Sequence, residues 1–121
     1  MILDHLTISV TDFARAKAFY ERALKPLGIG VIMEFNGVAG MGKERPEFWF
    51  AAGDPGAQKT HIAFAAASRT EVDAFYAAAM AAGGRDNGKP GIRAMYHPTY
   101  YGAFVFDPDG YNVEAACHAP A

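Results

Sequence analysis

Three side chains in this sequence have the types and spacing to hold a metal ion: His5, His61 and Glu114. The two histidines head similar segments, His5-Leu-Thr-Ile-Ser-Val10 and His61-Ile-Ala-Phe-Ala-Ala66, at an offset of 56 (from 5 to 61). Ala18-Phe19-Tyr20 recurs as Ala74-Phe75-Tyr76 at that same offset, and Gly28 maps onto Gly84. Matches at one offset, in one order, identify an internal repeat. A repeat that brings back a histidine at the same place in a strand, with a carboxylate nearby, supplies two imidazoles and one oxygen donor. That set suits a divalent transition metal and leaves coordination positions open for water or substrate.

The elements that position these groups follow from hydrophobic periodicity. From Ile2 to Val10 residues alternate, with Leu6, Ile8 and Val10 on one face and His5, Thr7 and Ser9 on the other. Thr11 or Asp12 caps a helix running to about Leu24, whose apolar stripe is Phe13, Ala16, Phe19, Tyr20 and Ala23. In the second half, His61–Ala67 is the strand. Ser68-Arg-Thr-Glu71 is a capping-box pattern opening a helix that runs to about Ala82. Further strands are expected at Ile29–Phe35, Val38–Gly42, Glu47–Ala52, within Arg85–Met95, and at Tyr101–Phe106 and Tyr111–Cys117. The turn Asp107-Pro-Asp-Gly110 joins the last two. The expected architecture is α+β: one domain over 1–121 made of two βαβββ modules, about 1–56 and 57–121.

Strand parity then sets which side each group faces. The apolar face of each first strand packs under its helix, so His5 and His61 face the other way. If Phe104, Phe106, Tyr111 and Val113 share the helix side of the last hairpin, residue 103 pairs with 114. Glu114 then projects away from the helices together with Asn112 and Ala103. Thr7, Trp49 and Tyr101 are assigned to the same inward faces. Arg93, Tyr96, His97 and Tyr100 cluster in the Gly/Pro-containing segment before the hairpin, as candidate substrate contacts. Of these, Arg93 suits a substrate carboxylate, and Tyr96 or His97 a hydrogen bond or proton relay. His118 shares the parity of Glu114 and is left unassigned.

Composition narrows the class. The 121 residues are 51% hydrophobic and 20% charged, with a formal net charge of −2, as for an ordinary globular domain without the basic footprint of a nucleic-acid binder. The apolar run Ala77–Ala82 falls far short of the roughly 20 residues of a membrane span. Asp4 and His5 interrupt the place where a signal peptide would put its apolar stretch. Cys117 is the single cysteine, which excludes an internal disulfide. The expectation is a cytoplasmic protein with a small-molecule substrate, engaging neither nucleic acid nor membrane.

Asp4-His-Leu-Thr-Ile-Ser-Val10, Thr60-His-Ile-Ala-Phe64 and Tyr100-Tyr-Gly-Ala-Phe-Val-Phe-Asp-Pro-Asp-Gly-Tyr-Asn-Val-Glu114 resemble the vicinal-oxygen-chelate superfamily over nearly the whole chain. That superfamily includes glyoxalase I, extradiol dioxygenases, fosfomycin-resistance transferases and bleomycin-resistance proteins. The resemblance implies paired modules curving into an open cup. It also implies one divalent ion per site (Zn, Ni, Mn or Fe) on His5, His61 and Glu114, with Glu114 also the catalytic group. Glyoxalase I carries a fourth ligand, a carboxylate on the last strand of the first module. The repeat matches Phe48 to Val113, which sets Trp49 opposite Glu114; Glu47 shares the inward parity and is the alternative ligand. The implied reaction is of lyase or isomerase type on a small oxygen-bearing metabolite. Extradiol oxygenation and metal-free drug binding are the alternatives. The resemblance further implies a homodimer in which His5 comes from one chain and His61 with Glu114 from the other. A monomer whose two modules close on each other is the competing arrangement.

Overall fold

A computed structural model describes residues 3–57 and 59–121; the expected start of the first strand at Ile2 lies outside them. The chain runs β1 (Leu6–Val10), α1 (Phe13–Leu24), β2 (Gly30–Phe35), β3 (Val38–Gly42), β4 (Phe48–Ala52), β5 (His61–Ala65), α2 (Arg69–Ala81), β6 (Arg85–Ile92), β7 (Tyr101–Phe106) and β8 (Asn112–Cys117). Two four-stranded sheets result, ordered β1-β4-β3-β2 and β5-β8-β7-β6. Identical order in both halves is what a duplicated βαβββ unit produces. Each first strand pairs in parallel with the last strand of its own module, since the helix between them carries the chain back over the sheet.

Local chemistry starts both helices. Asp12 accepts from the Arg15 amide at 3.0 Å and Ser68 from the Glu71 amide at 3.1 Å. Glu71 reaches back to the Ala67 amide, one residue before the cap. The helices bury Phe19, Tyr20 and Leu24 from α1 and Val72, Phe75 and Ala79 from α2. They pack against each other and each covers one face of the sheets. Val10, Met41, Phe50, Val105 and Val113 complete the shared core. Phe48 of the first module meets Phe64 of the second edge-on, with ring centroids 5.2 Å apart.

The opposite faces are left bare within the chain. Met33 and Phe35 of β2, and Met95 and Tyr96 in the segment after β6, are large apolar residues more than two-fifths exposed.

The turn between β7 and β8 ties the modules together. Asp107, 1% exposed, accepts from the Asp109 and Tyr111 amides at 2.9 and 2.8 Å and from the Tyr20 hydroxyl of α1 at 2.5 Å. Thr11 donates to Asp109, and the Tyr111 hydroxyl to the Ser9 carbonyl at 2.8 Å. Burial, and then the Asp107 carboxylate, holds the Tyr20 hydroxyl well above the ordinary tyrosine range. A raised pKa of this kind contributes stability that is complete below the unfolded value, near 10, and is lost as pH rises through the folded value. Tyr20→Phe, which leaves a buried carboxylate oxygen without its donor, is expected to cost about 1–3 kcal/mol at neutral pH. Its stability should also fall less steeply above pH ~10 than that of the wild type. Urea unfolding of both proteins at neutral and alkaline pH measures the two effects.

The same turn corrects the expected register. Ala103 pairs with Ala115, Phe104 with Glu114 and Val105 with Val113, one residue away from the expected 103–114 pairing. The Asp107 amide donates to the Tyr111 carbonyl, and Gly110 has φ +90°. The loop therefore holds three residues, the last left-handed, instead of two. One added residue moves every β7 side chain to the other face. Ala103 and Val105 fill the core beneath α2, while Phe104 and Phe106 turn to the side of Glu114.

Candidate functional site

Glu114 lies mid-strand in β8, beside Ala63 of β5 and Phe104 of β7. It is 2% exposed, and both of its carboxylate oxygens are engaged. Oε1 lies 2.9 Å from His61 Nε2, and Oε2 accepts from the Tyr100 hydroxyl. Room for this arrangement comes from Gly102: a Cβ there would stand 3.1 Å from Oε2 and 3.2 Å from the Tyr100 ring. Burial, and then the Glu114 hydrogen bond, raises the Tyr100 hydroxyl far above its usual pKa. Tyr100 thus remains a hydrogen-bond donor throughout the neutral range.

The tautomer of His61 decides what this pair can hold. Its Nδ1 lies 3.1 Å from the Asn112 carbonyl oxygen, which can only accept, so the proton of a neutral ring belongs on Nδ1. The bare lone pair of Nε2 then faces a carboxylate oxygen. Two electron-rich atoms at 2.9 Å require a cation between or beside them, either a proton or a metal ion. A ligating imidazole held by its other nitrogen to a backbone carbonyl is the usual supporting arrangement of a metal centre. Phe104 stacks on the His61 ring at 6.0 Å and forms the wall beside it.

This constellation joins to a match at the level of the whole chain. Residues 2–115 match the sequence model of the glyoxalase/bleomycin resistance protein/dioxygenase superfamily. The chain belongs to this superfamily. Among solved structures, a glyoxalase/bleomycin resistance protein from Albidiferax ferrireducens T118 is 30% identical. It superposes with a TM-score of 0.84 over 97% of this chain and 99% of that one. The fold alone is shared with the fosfomycin resistance protein FosX of Listeria monocytogenes (21% identity, TM-score 0.74, 98% and 94% covered). The same holds for TioX of Micromonospora sp. ML1 (14%, TM-score 0.69, 98% and 100% covered). No curated protein matches the chain.

Superfamily members commonly use a divalent metal, and the donors of this chain can be set against that requirement. His61 and Glu114 fit it by type, tautomer and distance. His5 does not join them within the chain. Its Nδ1 lies 2.8 Å from Asp4, and among the described residues no three His, Cys, Asp or Glu side chains are grouped to hold an ion. His5 does occupy the place in the first module that His61 occupies in the second, because Leu6 pairs with Phe48 and Ile62 with Val113. The same pairings put Trp49, beside Thr7, in the position equivalent to Glu114. They also set Glu47, whose carbonyl accepts from the Leu6 amide, opposite the start of β1. Trp49 lies across Gly40, where a Cβ would meet its indole at 2.8 Å. Thr7 and Trp49 thus belong to the bare face of the first sheet, and His61 and Glu114 to that of the second.

The remaining candidates divide. Tyr101 turns to the helix side, where its hydroxyl donates to Asp73 at 2.6 Å and Arg69 covers its ring. Its assignment to the inward face is corrected by the one-residue register shift, and Tyr100 holds the inward place. Arg93 lies over Phe104 and donates to the Lys89 carbonyl at 2.8 Å, which brings its charge to the wall of the site. Tyr96 and His97 both pack edge-on against Tyr100, at 4.9 and 5.4 Å. Phe104 and the Asn112 carbonyl were not among the expected site groups. A glycine closing Asp107-Pro-Asp-Gly110 was the signal for the longer loop that places Phe104 there. Among the described residues no helix is long and apolar enough to cross a membrane.

Proposed function

We propose that the chain is a divalent-metal-dependent enzyme of glyoxalase-like type, acting on a small metabolite that carries two neighbouring oxygens. The observation that carries this reading is His61 Nε2 set 2.9 Å from a buried carboxylate while its Nδ1 lies 3.1 Å from the Asn112 carbonyl oxygen. His61 and Glu114 would hold the ion, with His5 of a second copy as third ligand in a homodimer. Such an ion would supply Lewis acidity toward an oxygen-bearing substrate.

The protein's own groups supply the rest. Glu114 is positioned to take a proton at Oε1 or Oε2, as lyase or isomerase chemistry requires. Tyr100 fixes the second oxygen through a hydroxyl that stays protonated. Phe104 and the Tyr96–Tyr100 pair form an aromatic wall beside His61 and Glu114, and the Arg93 guanidinium at that wall suits an anionic substituent. Two imidazoles and one carboxylate are also the ligand types of ring-cleaving dioxygenases, so that chemistry is the alternative within the same site. A metal-free binding protein is a second reading. Its support is that His61, once protonated, and Tyr100 together satisfy Glu114 without any ion.

Metal analysis of protein purified without an affinity tag separates these readings, with roughly one divalent ion per chain expected. Metal-loaded protein is then screened against α-keto aldehyde–thiol adducts, catechols and epoxides. Protein that neither carries nor takes up divalent ions, yet binds aromatic ligands unaffected by chelator, would replace the enzyme reading with the binding one.

A further inference from the structure

Three neighbouring strands set a row of groups across the inward face of the second sheet. Glu114 of β8 is the register partner of Phe104 of β7, and Phe104 is the partner of Gly88 of β6. Gly88 brings no side chain to the row, and Arg93 takes the place. Its guanidinium lies over the Phe104 ring, 5.3 Å from the centroid, and Nη2 donates to the Lys89 carbonyl at 2.8 Å. Two glycines of β6 make the room. A Cβ at Gly88 would stand 3.0 Å from the Phe104 ring and 3.1 Å from Nη2, and one at Gly91 would stand 3.2 Å from Nη1. The segment that carries the arginine is pinned as well. The Arg93 amide donates to the Tyr100 carbonyl at 2.8 Å. His97, whose Nδ1 accepts from the Thr99 amide, donates through Nε2 to His118 at 2.6 Å.

An arginine built in this way carries a charge without a counterion. Among the described residues no carboxylate pairs with Arg93, and its Nε and Nη1 have no acceptor. Neither nitrogen is shut off from solvent. The charge is felt at the neighbouring site: burial and then the Glu114 hydrogen bond raise the Tyr100 hydroxyl, and Arg93 acts on it in the opposite sense. Whichever Nη2 hydrogen the Lys89 carbonyl takes, one pair of parallel N–H groups is left to grip two oxygens of one anion. Stacking on Phe104 holds the fork in one plane, so little freedom is lost when an anion arrives. Two strand spacings, roughly 10 Å, separate Glu114 from this end of the row. Contacts of about 3 Å at each end leave a molecule about 4–6 Å long between its anionic group and its reacting oxygens, the span of one six-membered ring. We propose that Arg93 determines the specificity of this site and selects substrates with a carboxylate, phosphonate or phosphate group at that distance from the two neighbouring oxygens. The inference rests on His61 and Glu114 being the reacting end.

The test uses tag-free, full-length protein, first metal-free and then with one equivalent of zinc(II). Three probes of similar size are titrated: 3,4-dihydroxybenzoate, 3,4-dihydroxyphenylphosphonate and the neutral 3,4-dihydroxybenzamide. Calorimetry gives the affinities, and proton–nitrogen spectra follow the Arg93 Nε–H resonance. Both anions are expected to bind ~10-fold or more tightly than the amide, the size of one charge-assisted hydrogen-bonded pair. They should also shift the Arg93 resonance, which the amide leaves in place. Arg93→Gln should bring both anions down to the affinity of the amide and leave the amide unchanged. Equal binding of all three probes by the wild type, binding of none, or an anion preference that survives Arg93→Gln overturns the assignment. The Nε–H resonance needs no substitution and decides the matter even if the variant does not fold. Failure of the metal reading looks different: no zinc uptake, with the anion preference of the metal-free protein intact. Zinc uptake without any anion preference leaves that reading standing and removes Arg93.

Discussion

Glu114→Gln is expected to lower divalent-metal affinity by ~10-fold or more, a size that even supporting groups around metal centres reach, while leaving the fold intact. The substitution keeps the volume of a side chain that is 2% exposed, and an amide oxygen can still accept from Tyr100. What it removes is the negative charge beside His61. Without that charge the Nε2 lone pair loses its anionic companion, and an ion held there keeps a single strong protein donor from this chain. Glu114→Ala goes further, leaving a cavity beneath Phe104 and a Tyr100 hydroxyl without its acceptor, so its losses mix binding with stability. The glutamine variant is therefore the cleaner measurement, by competition against a chromophoric chelator with a melting curve alongside. Wild-type affinity in Glu114→Gln would remove this carboxylate from the metal set.

Mixing two inactive proteins should restore metal sites that neither has alone. If each site takes His5 from one chain and His61 with Glu114 from its partner, a dimer of His5→Ala with Glu114→Ala contains one site with both lesions and one with none. Random exchange of subunits makes half the dimers mixed, so about a quarter of wild-type sites should return. The structure motivates this in two ways. His5 is not grouped with His61 and Glu114 in its own chain, although it stands at the equivalent position of the repeat. Met33 and Phe35 on the bare face of the first sheet, and Met95 and Tyr96 beyond β6, are also exposed, apolar surface of the kind that a partner covers. Exchange is promoted by dilution in mild denaturant and verified by mass-tagged subunits. Verified exchange with no recovered site would place the three residues in one chain or dismiss His5 as a ligand.

Local signals in the sequence determined the elements and their repetition. The offset that relates His5 to His61 also relates α1 to α2, and both sheets have the same strand order because each half solves the same packing problem. Alternation in β1 and β5 was legible because one face of each strand must lie under a helix. Matching Phe48 to Val113 was legible for the same reason, and the observed pairings agree with it. The register of the last hairpin was not. It depended on whether Gly110 closed a two- or a three-residue loop, a matter of one φ angle, and that angle exchanged Tyr101 for Tyr100 and Ala103 for Phe104 at the site. Nor did the sequence show that His118 meets His97, or that the Asn112 carbonyl sets the tautomer of His61. Contacts of this kind join residues far apart in the chain and carry no periodicity. The sequence by itself determined which residue types stand on which strand face, because burial of apolar side chains imposes a period on it. Only the tertiary structure decided which of those faces meet within one chain, because that follows from how two helices pack and leaves no repeating mark.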